Sequence, residues 1–257
     1  LHPVAGVRMS AVSAGIKKPG RLDVVLFELA QEAHSAGVFT SNAFCAAPVT
    51  LCKQHLAAGN PRYLLINTGN ANAGTGAPGM QAALQCCTEL AAAAGVEATA
   101  VLPFSTGVIG ELLPAAKVCA VGEQALAELE TNAWQKVARG IMTTDTRPKA
   151  ASRQITLAGK VITITGIAKG AGMIKPDMAT MLGFAFTDAK IPAKVLQSLL
   201  KSTADKSFNC ITVDSDTSTS DTVLLCATGK GGNHPEVKTA RDPHLKDFRR
   251  ALDELMS

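Results

Sequence analysis

Two hydroxyl-bearing stretches are where this sequence could do chemistry. The first runs from Lys169 to Gly183 and reads K-G-A-G-M-I-K-P-D-M-A-T-M-L-G. Gly170, Ala171 and Gly172 permit tight turns and the close approach of another group. Pro176 interrupts any regular ladder. Met181 to Phe186 is then an apolar run of the length of a buried strand, and Thr180 is the last polar residue before it. A hydroxyl at the lip of a rigid strand, reached by a loop of small residues, is a position for a nucleophile. The same residues also read as an ordinary loop running into a strand. The second stretch is Ser105-Thr106-Gly107-Val108-Ile109-Gly110, after a short strand at 100–104. Gly107 lets a backbone N–H point outward at an unusual angle, and Thr106 sets a hydroxyl donor beside it. Two such donors suit a developing oxyanion, although S-T-G is also common in turns.

The elements that must position these residues follow from hydrophobic patterning. Strands are expected at 23–28, 36–40, 63–67, 208–213 and 222–227. A hairpin of 154–157 and 161–167, joined by Gly159-Lys160, delivers the chain to Lys169. Pro48 marks a helix start. Met80, Ala83, Leu84, Cys87, Leu90, Ala91 and Ala94 recur at helical spacing, with Gly95 as a C-cap. Further helices are expected at 114–130, at 133–141, and from Pro192 to Leu200 with the proline in the first turn. Leu245, Phe248, Leu252 and Leu255 line one face of a last helix. The stretch Thr68 to Gly76, rich in Gly and Asn, could cradle an anion but reads better as a tight loop using left-handed conformations. The polar run Asp214 to Asp221 lacks the glycine and terminal Glu of an EF-hand loop. It reads as a solvated or hydrogen-bonding loop rather than a metal site. The sum is an α/β chain with mixed sheets covered by helices.

Composition excludes several classes. The 257 residues are 47% hydrophobic and 18% charged, a globular balance and not a disordered one. A net charge of +4, with no basic cluster interleaved with aromatics, gives no reason to expect nucleic acid. Seven cysteines at irregular spacing read as free thiols in a reducing, cytoplasmic compartment. Five scattered histidines indicate no metal site. No membrane-spanning run is present. Scarce aromatics predict a core of small and aliphatic side chains.

The motif K-G-x-G-M-I-x-P-x-M-A-T-M-L resembles the signature of the ornithine acetyltransferase family, the bifunctional glutamate N-acetyltransferases of arginine biosynthesis. Other segments agree in order: G-V-F-T-x-N from Gly37, A-A-P-V from Ala46, N-x-G-N-A-N-A from Asn67, S-T-G-V-I-G from Ser105, M-T-T-D-T from Met142 and D-x-D-T-S-T-x-D-T from Asp214. The resemblance implies a self-processing fold similar to that of the N-terminal-nucleophile-like aminopeptidases. It implies that the chain cuts itself between Ala179 and Thr180, dividing it into an α-chain segment, 1–179, and the start of a β-chain segment, 180–257. Freed Thr180 is then the nucleophile, Thr106 and Gly107 form the oxyanion hole, and Thr146, Lys169 and Thr180 contact substrate. The implied reaction moves an acetyl group from N2-acetylornithine to glutamate with no cofactor, and leaves acetyl-CoA open as a co-substrate. The implied assembly is an α2β2 heterotetramer, with no membrane or nucleic-acid partner. Family members continue with D-G-E-G-A-T-K and N-W-G-R segments that complete the substrate site, and neither occurs before Ser257, so a partial member is expected. Two rivals stand: an N-terminal-nucleophile amidase or aminopeptidase passing the acyl group to water, and a non-catalytic fragment.

Overall fold

The computed structural model describes residues 1–40, 42, 44–170, 182–207 and 219–257. Two mixed sheets lie face to face. The first has the order β1 (Val7–Val12), β2 (Val24–Leu29), β4 (Tyr63–Asn70), β5 (Val101–Val108), with only β4 and β5 parallel. The second has the order β3 (His34–Phe39), β9 (Thr222–Ala227), β8 (Leu182–Thr187), β7 (Lys160–Lys169), β6 (Lys149–Leu157), with only β8 and β9 parallel.

Strand alternation sends one set of side chains from each sheet into a shared core. Phe27, Leu64, Ile66, Leu102 and Phe104 come from the first sheet, and Ile167, Phe184, Phe186 and Leu224 from the second. Phe27 and Phe186 lie 4.6 Å apart between ring centroids, and Phe104 meets Phe184 edge-on at 5.0 Å. Trp134, at the start of α5 (Trp134–Gly140), packs 5.6 Å from Phe186. The expectation of a small, aliphatic core is therefore corrected. Aromatics are few, but five of the ten meet between the sheets, where large flat side chains fill the gap between two twisted surfaces.

Helices cover the outer faces. Over the first sheet lie α2 (Gly76–Ala94), α3 (Ala115–Ala120) and α4 (Gly122–Ala127). Over the second lie α6 (Ala193–Lys206) and α7 (Lys246–Met256). The buried face of α2 is Ala83, Cys86, Cys87, Leu90 and Ala91, while Leu84 is exposed; Gly95 ends the helix in the left-handed conformation, as expected. The helix expected over 114–130 is two short helices that break at Val121. The second swings in to bury Ala125, whose carbonyl accepts from Ser10 Oγ at 2.7 Å, and Glu130 pairs instead with Met9. Pro48 lies in the first turn of α1 (Ala47–Ala58), but Pro192 is the N-cap of α6, one step outside the helix. The β6–β7 hairpin turns on Ala158 and Gly159, both at positive φ (47° and 81°), a pairing that suits a two-residue turn. The apolar face of α7 is covered: Leu245, Phe248 and Leu252 are fully buried against α6 and the second sheet, with Leu255 partly buried beside them. The strand expected at 208–213 lies outside the described residues.

Candidate active site

The strands β4 and β5 run parallel and end together: Thr68 pairs with Thr106 and Gly69 with Gly107, and after a register shift Asn70 pairs with Val108. The S-T-G stretch is thus not a turn after a short strand. It is the end of β5, held extended because β4 continues beside it. The backbones close up here. A Cβ on Gly107 would lie 2.5 Å from Asn70 N, nearer still to the Gly69 carbonyl carbon, and the backbone sits at φ +139°. Only glycine accepts both conditions.

Thr106 is buried, and its Oγ1 accepts a hydrogen bond from Lys169 Nζ at 2.8 Å. Lys169 is the last residue of β7 and is 3% exposed. It follows Ile167 on the inward face of the second sheet, so it reaches across the gap to a residue of the first. With its oxygen accepting from Lys169, the Thr106 hydroxyl keeps its own hydrogen free to donate. Burial lowers the Lys169 pKa from its ordinary value, and the carboxylates of Asp145 and Asp221 offset part of that fall.

Asp145 is the charged residue that sequence reasoning passed over. Its side chain is 1% exposed. It accepts from Lys149 Nζ at 2.5 Å, from Gly170 N at 2.9 Å and from Thr143 N at 3.3 Å. Lys149 Nζ also donates to the Gly170 carbonyl at 2.9 Å. Burial would raise the Asp145 carboxyl, but Lys149 and the two N–H donors more than compensate and hold it below the usual carboxylate value. The pair fastens Gly170, and through it the end of β7 that carries Lys169. The available signal was the D-x-x-x-K spacing inside a motif otherwise read for its threonines. Thr146 itself is exposed, one residue from this clamp; the side chain from this segment that acts on Lys169 is Asp145.

The expected loop from Thr68 starts later than its composition suggests, because β4 runs on to Asn70; the Asn residues of the 67–73 segment serve the backbone. Asn67 donates to Asn70 O, Asn70 to the carbonyls of Glu111 and Leu112, and Asn72 to Gly79 O. Asn72 and Gly69 sit at positive φ. Thr180 and Ala179 lie outside the described residues. The chain resumes at Leu182, which pairs directly with Lys169. A cavity of about 520 Å3 lies beside Gly166, Ala168, Gly183, Ala185 and Leu255. These residues alternate with Ile167 and Phe184 and face the helices, so the cavity is on the opposite side of the sheet from the Lys169–Thr106 contact. Among the described residues no group of His, Cys, Asp and Glu is placed to hold a metal ion, and no helix is long and apolar enough to cross a membrane.

Comparison with known proteins agrees with the fold. An aminopeptidase of Ochrobactrum anthropi, described as a variant of the Ntn hydrolase fold, superposes with a TM-score of 0.61 over 98% of this chain and 82% of its own; at 14% identity it shows the fold alone. The ornithine acetyltransferase of Mycobacterium tuberculosis, solved with ornithine, is 34% identical, with a TM-score of 0.60 over 70% of this chain and 94% of its own. The arginine biosynthesis bifunctional protein ArgJ of Pseudomonas syringae pv. tomato is 55% identical over 252 residues, 98% of this chain. The chain spans 62% of the length of the curated relatives it matches. A model of the ArgJ family matches residues 8–257, which takes in both sheets, Thr106, Gly107 and Lys169. On that match and that identity, the chain belongs to the ArgJ family.

Proposed function

We propose that this chain forms the nucleophile-bearing part of an acyltransferase that moves an acetyl group from N2-acetylornithine to glutamate, after cutting itself between Ala179 and Thr180. The observation that carries the reading is the buried Lys169–Thr106 contact beside Gly107, directly where β8 begins. Thr180 is two residues before Leu182 in the sequence, and Leu182 pairs with Lys169.

In the cut itself, Thr180 Oγ attacks the Ala179 carbonyl and the peptide nitrogen leaves as an amine. Water then opens the ester, freeing the Ala179 carboxylate and the Thr180 hydroxyl. The new α-amine, with an ordinary pKa of about 7.7 to 8.0, can take the hydroxyl proton near neutral pH. In transfer, Oγ attacks the acetyl carbonyl, and the oxyanion accepts from the free Thr106 hydroxyl hydrogen and from Gly107 N–H. Ornithine departs with the proton, and the glutamate amine takes the acetyl group from the ester. Lys169 places a buried cation where negative charge develops, and Thr146 lies at the rim as a substrate contact. Acetyl-CoA as a second donor and an α2β2 assembly of the cut chains belong to the same proposal, and the segments that follow in the family complete the substrate site.

The test is the intact mass of the purified protein. The wild type is expected to give two chains, the second beginning at Thr180, and Thr180→Ala to stay whole; cleavage unimpaired in Thr180→Ala removes Thr180 from the mechanism. Release of acetate in place of acetylglutamate by the full-length protein identifies water as the acceptor and replaces the transferase reading with the amidase one.

A further inference from the structure

One buried hydroxyl near this site has nothing to bond to. Thr68 is 1% exposed, and its Oγ1 has no hydrogen-bond partner. Among the described residues it is the only buried hydroxyl in that condition. Other buried strand threonines are paired: Thr106 with Lys169, Thr165 with the His2 carbonyl and Thr222 with the Ser220 carbonyl. A native fold rarely leaves such a group idle, because a buried polar atom without a partner is costly.

Its position gives it a use. The register pairs Leu64 with Leu102, Ile66 with Phe104 and Thr68 with Thr106. The first two pairs point into the core between the sheets, and in a parallel pair the next residues two along share that face. Thr68 and Thr106 therefore continue the same inward row on neighbouring strands about 4.8 Å apart. The apolar row finishes in two hydroxyls. One is fixed by Lys169 and the other is open. Gly69 and Gly107 follow them, and the strands run one residue further, to Asn70 and Val108, across a register shift.

We propose that Thr68 is a further catalytic residue of the acyl site, its hydroxyl donating to the carbonyl oxygen of the bound N-acyl amino acid and, as the tetrahedral intermediate forms, to the oxyanion. This rests on the acyl-transfer reading above. It gives the oxygen a second side-chain donor on the β4 side, while Thr106 and Gly107 approach from β5. Thr68→Val keeps the β-branched shape and removes the donor; Thr68→Ser keeps the donor. In the full-length protein, Thr68→Val is expected to lower kcat for acetyl transfer about 100-fold. KM for the acetyl donor should change little, because the bond strengthens at the transition state. Thr68→Ser should retain kcat within a few-fold. The melting temperature of unliganded Thr68→Val should equal or exceed that of the wild type, since no protein bond is lost. Wild-type kcat in Thr68→Val overturns the proposal. So does a loss of kcat accompanied by a lower melting temperature and not rescued by Thr68→Ser, which marks a packing role. A wild type that transfers no acetyl group refutes the acyl-transfer reading itself, and is distinguished from both by the wild-type assay alone.

Discussion

Replacing Gly107 by alanine adds one methyl group, and the structure says where it must go. The Cβ would meet Gly69 C, Asn70 N and Gly69 Cα, the last at 2.7 Å. All three are backbone atoms of the neighbouring strand, so no side chain can swing aside. Either β5 moves away from β4, breaking the register at Thr68–Thr106, or φ leaves +139° and the end of the strand turns. An L-residue held in such a region costs about 1 to 3 kcal/mol, and overpacking adds about 1 to 3 kcal/mol. The expected loss is about 2 to 6 kcal/mol, from a total that is typically about 5 to 15 kcal/mol. At about 2 to 4 °C per kcal/mol for a domain of this size, the melting temperature should fall on the order of 5 to 20 °C. Gly110 is the internal control. It also has positive φ (+82°), but an added Cβ there meets nothing within 4 Å. Gly110→Ala therefore carries only the conformational cost, about 1 to 2 kcal/mol. The assay is urea unfolding of the three proteins side by side. Equal losses in the two variants would refute the argument that strand-to-strand contact, and not backbone conformation alone, demands glycine at 107.

Two further outcomes follow from the same site. In the full-length protein, Thr106→Ala should lower kcat for acetyl transfer by roughly 100- to 1000-fold with a much smaller change in KM; unchanged kcat rejects Thr106 as an oxyanion donor. Lys169 has a folded-state pKa below its ordinary 10.5, so between the two values the unfolded chain binds more protons and stability rises with pH. The wild type should accordingly gain on Lys169→Met as pH is raised from neutrality toward 10, measured as the difference in urea midpoints; a difference that is flat or shrinks in that window contradicts a depressed pKa.

Much of the scaffold is legible locally. The β6–β7 hairpin follows from a glycine between two β-branched runs, and the end of α2 from Gly95. The six residues of β9 are apolar or β-branched throughout, which is how a strand buried on both faces reads. What escaped is what depends on distant partners. Ser105 to Val108 has turn-forming letters, yet it is strand because β4 pairs with it from about 38 residues earlier. The Asp145 clamp joins residues 25 apart, and nothing at position 145 alone announces that Gly170 completes it. The idle hydroxyl of Thr68 was hidden inside a segment whose asparagines drew the eye, and only burial distinguishes it from a solvated threonine. At the site, motif similarity located Thr106, Gly107 and Lys169, but their contact across two sheets is a product of the packing.

The strand order of the second sheet has a consequence for the proposed cleavage. Both β8 and β9 come from the segment after position 180, and they sit in the middle of that sheet, with β3 on one flank and β7 on the other, both from the segment before it. Opening the bond between Ala179 and Thr180 removes a covalent tie and leaves every one of these strand pairings untouched. Neither fragment owns the sheet. Without β8 and β9, β3 and β7 would each present a bare strand edge to a gap two strands wide. A chain cut as proposed would thus be held together by strand pairing in place of the peptide bond, and parting the two pieces would require opening the middle of the sheet.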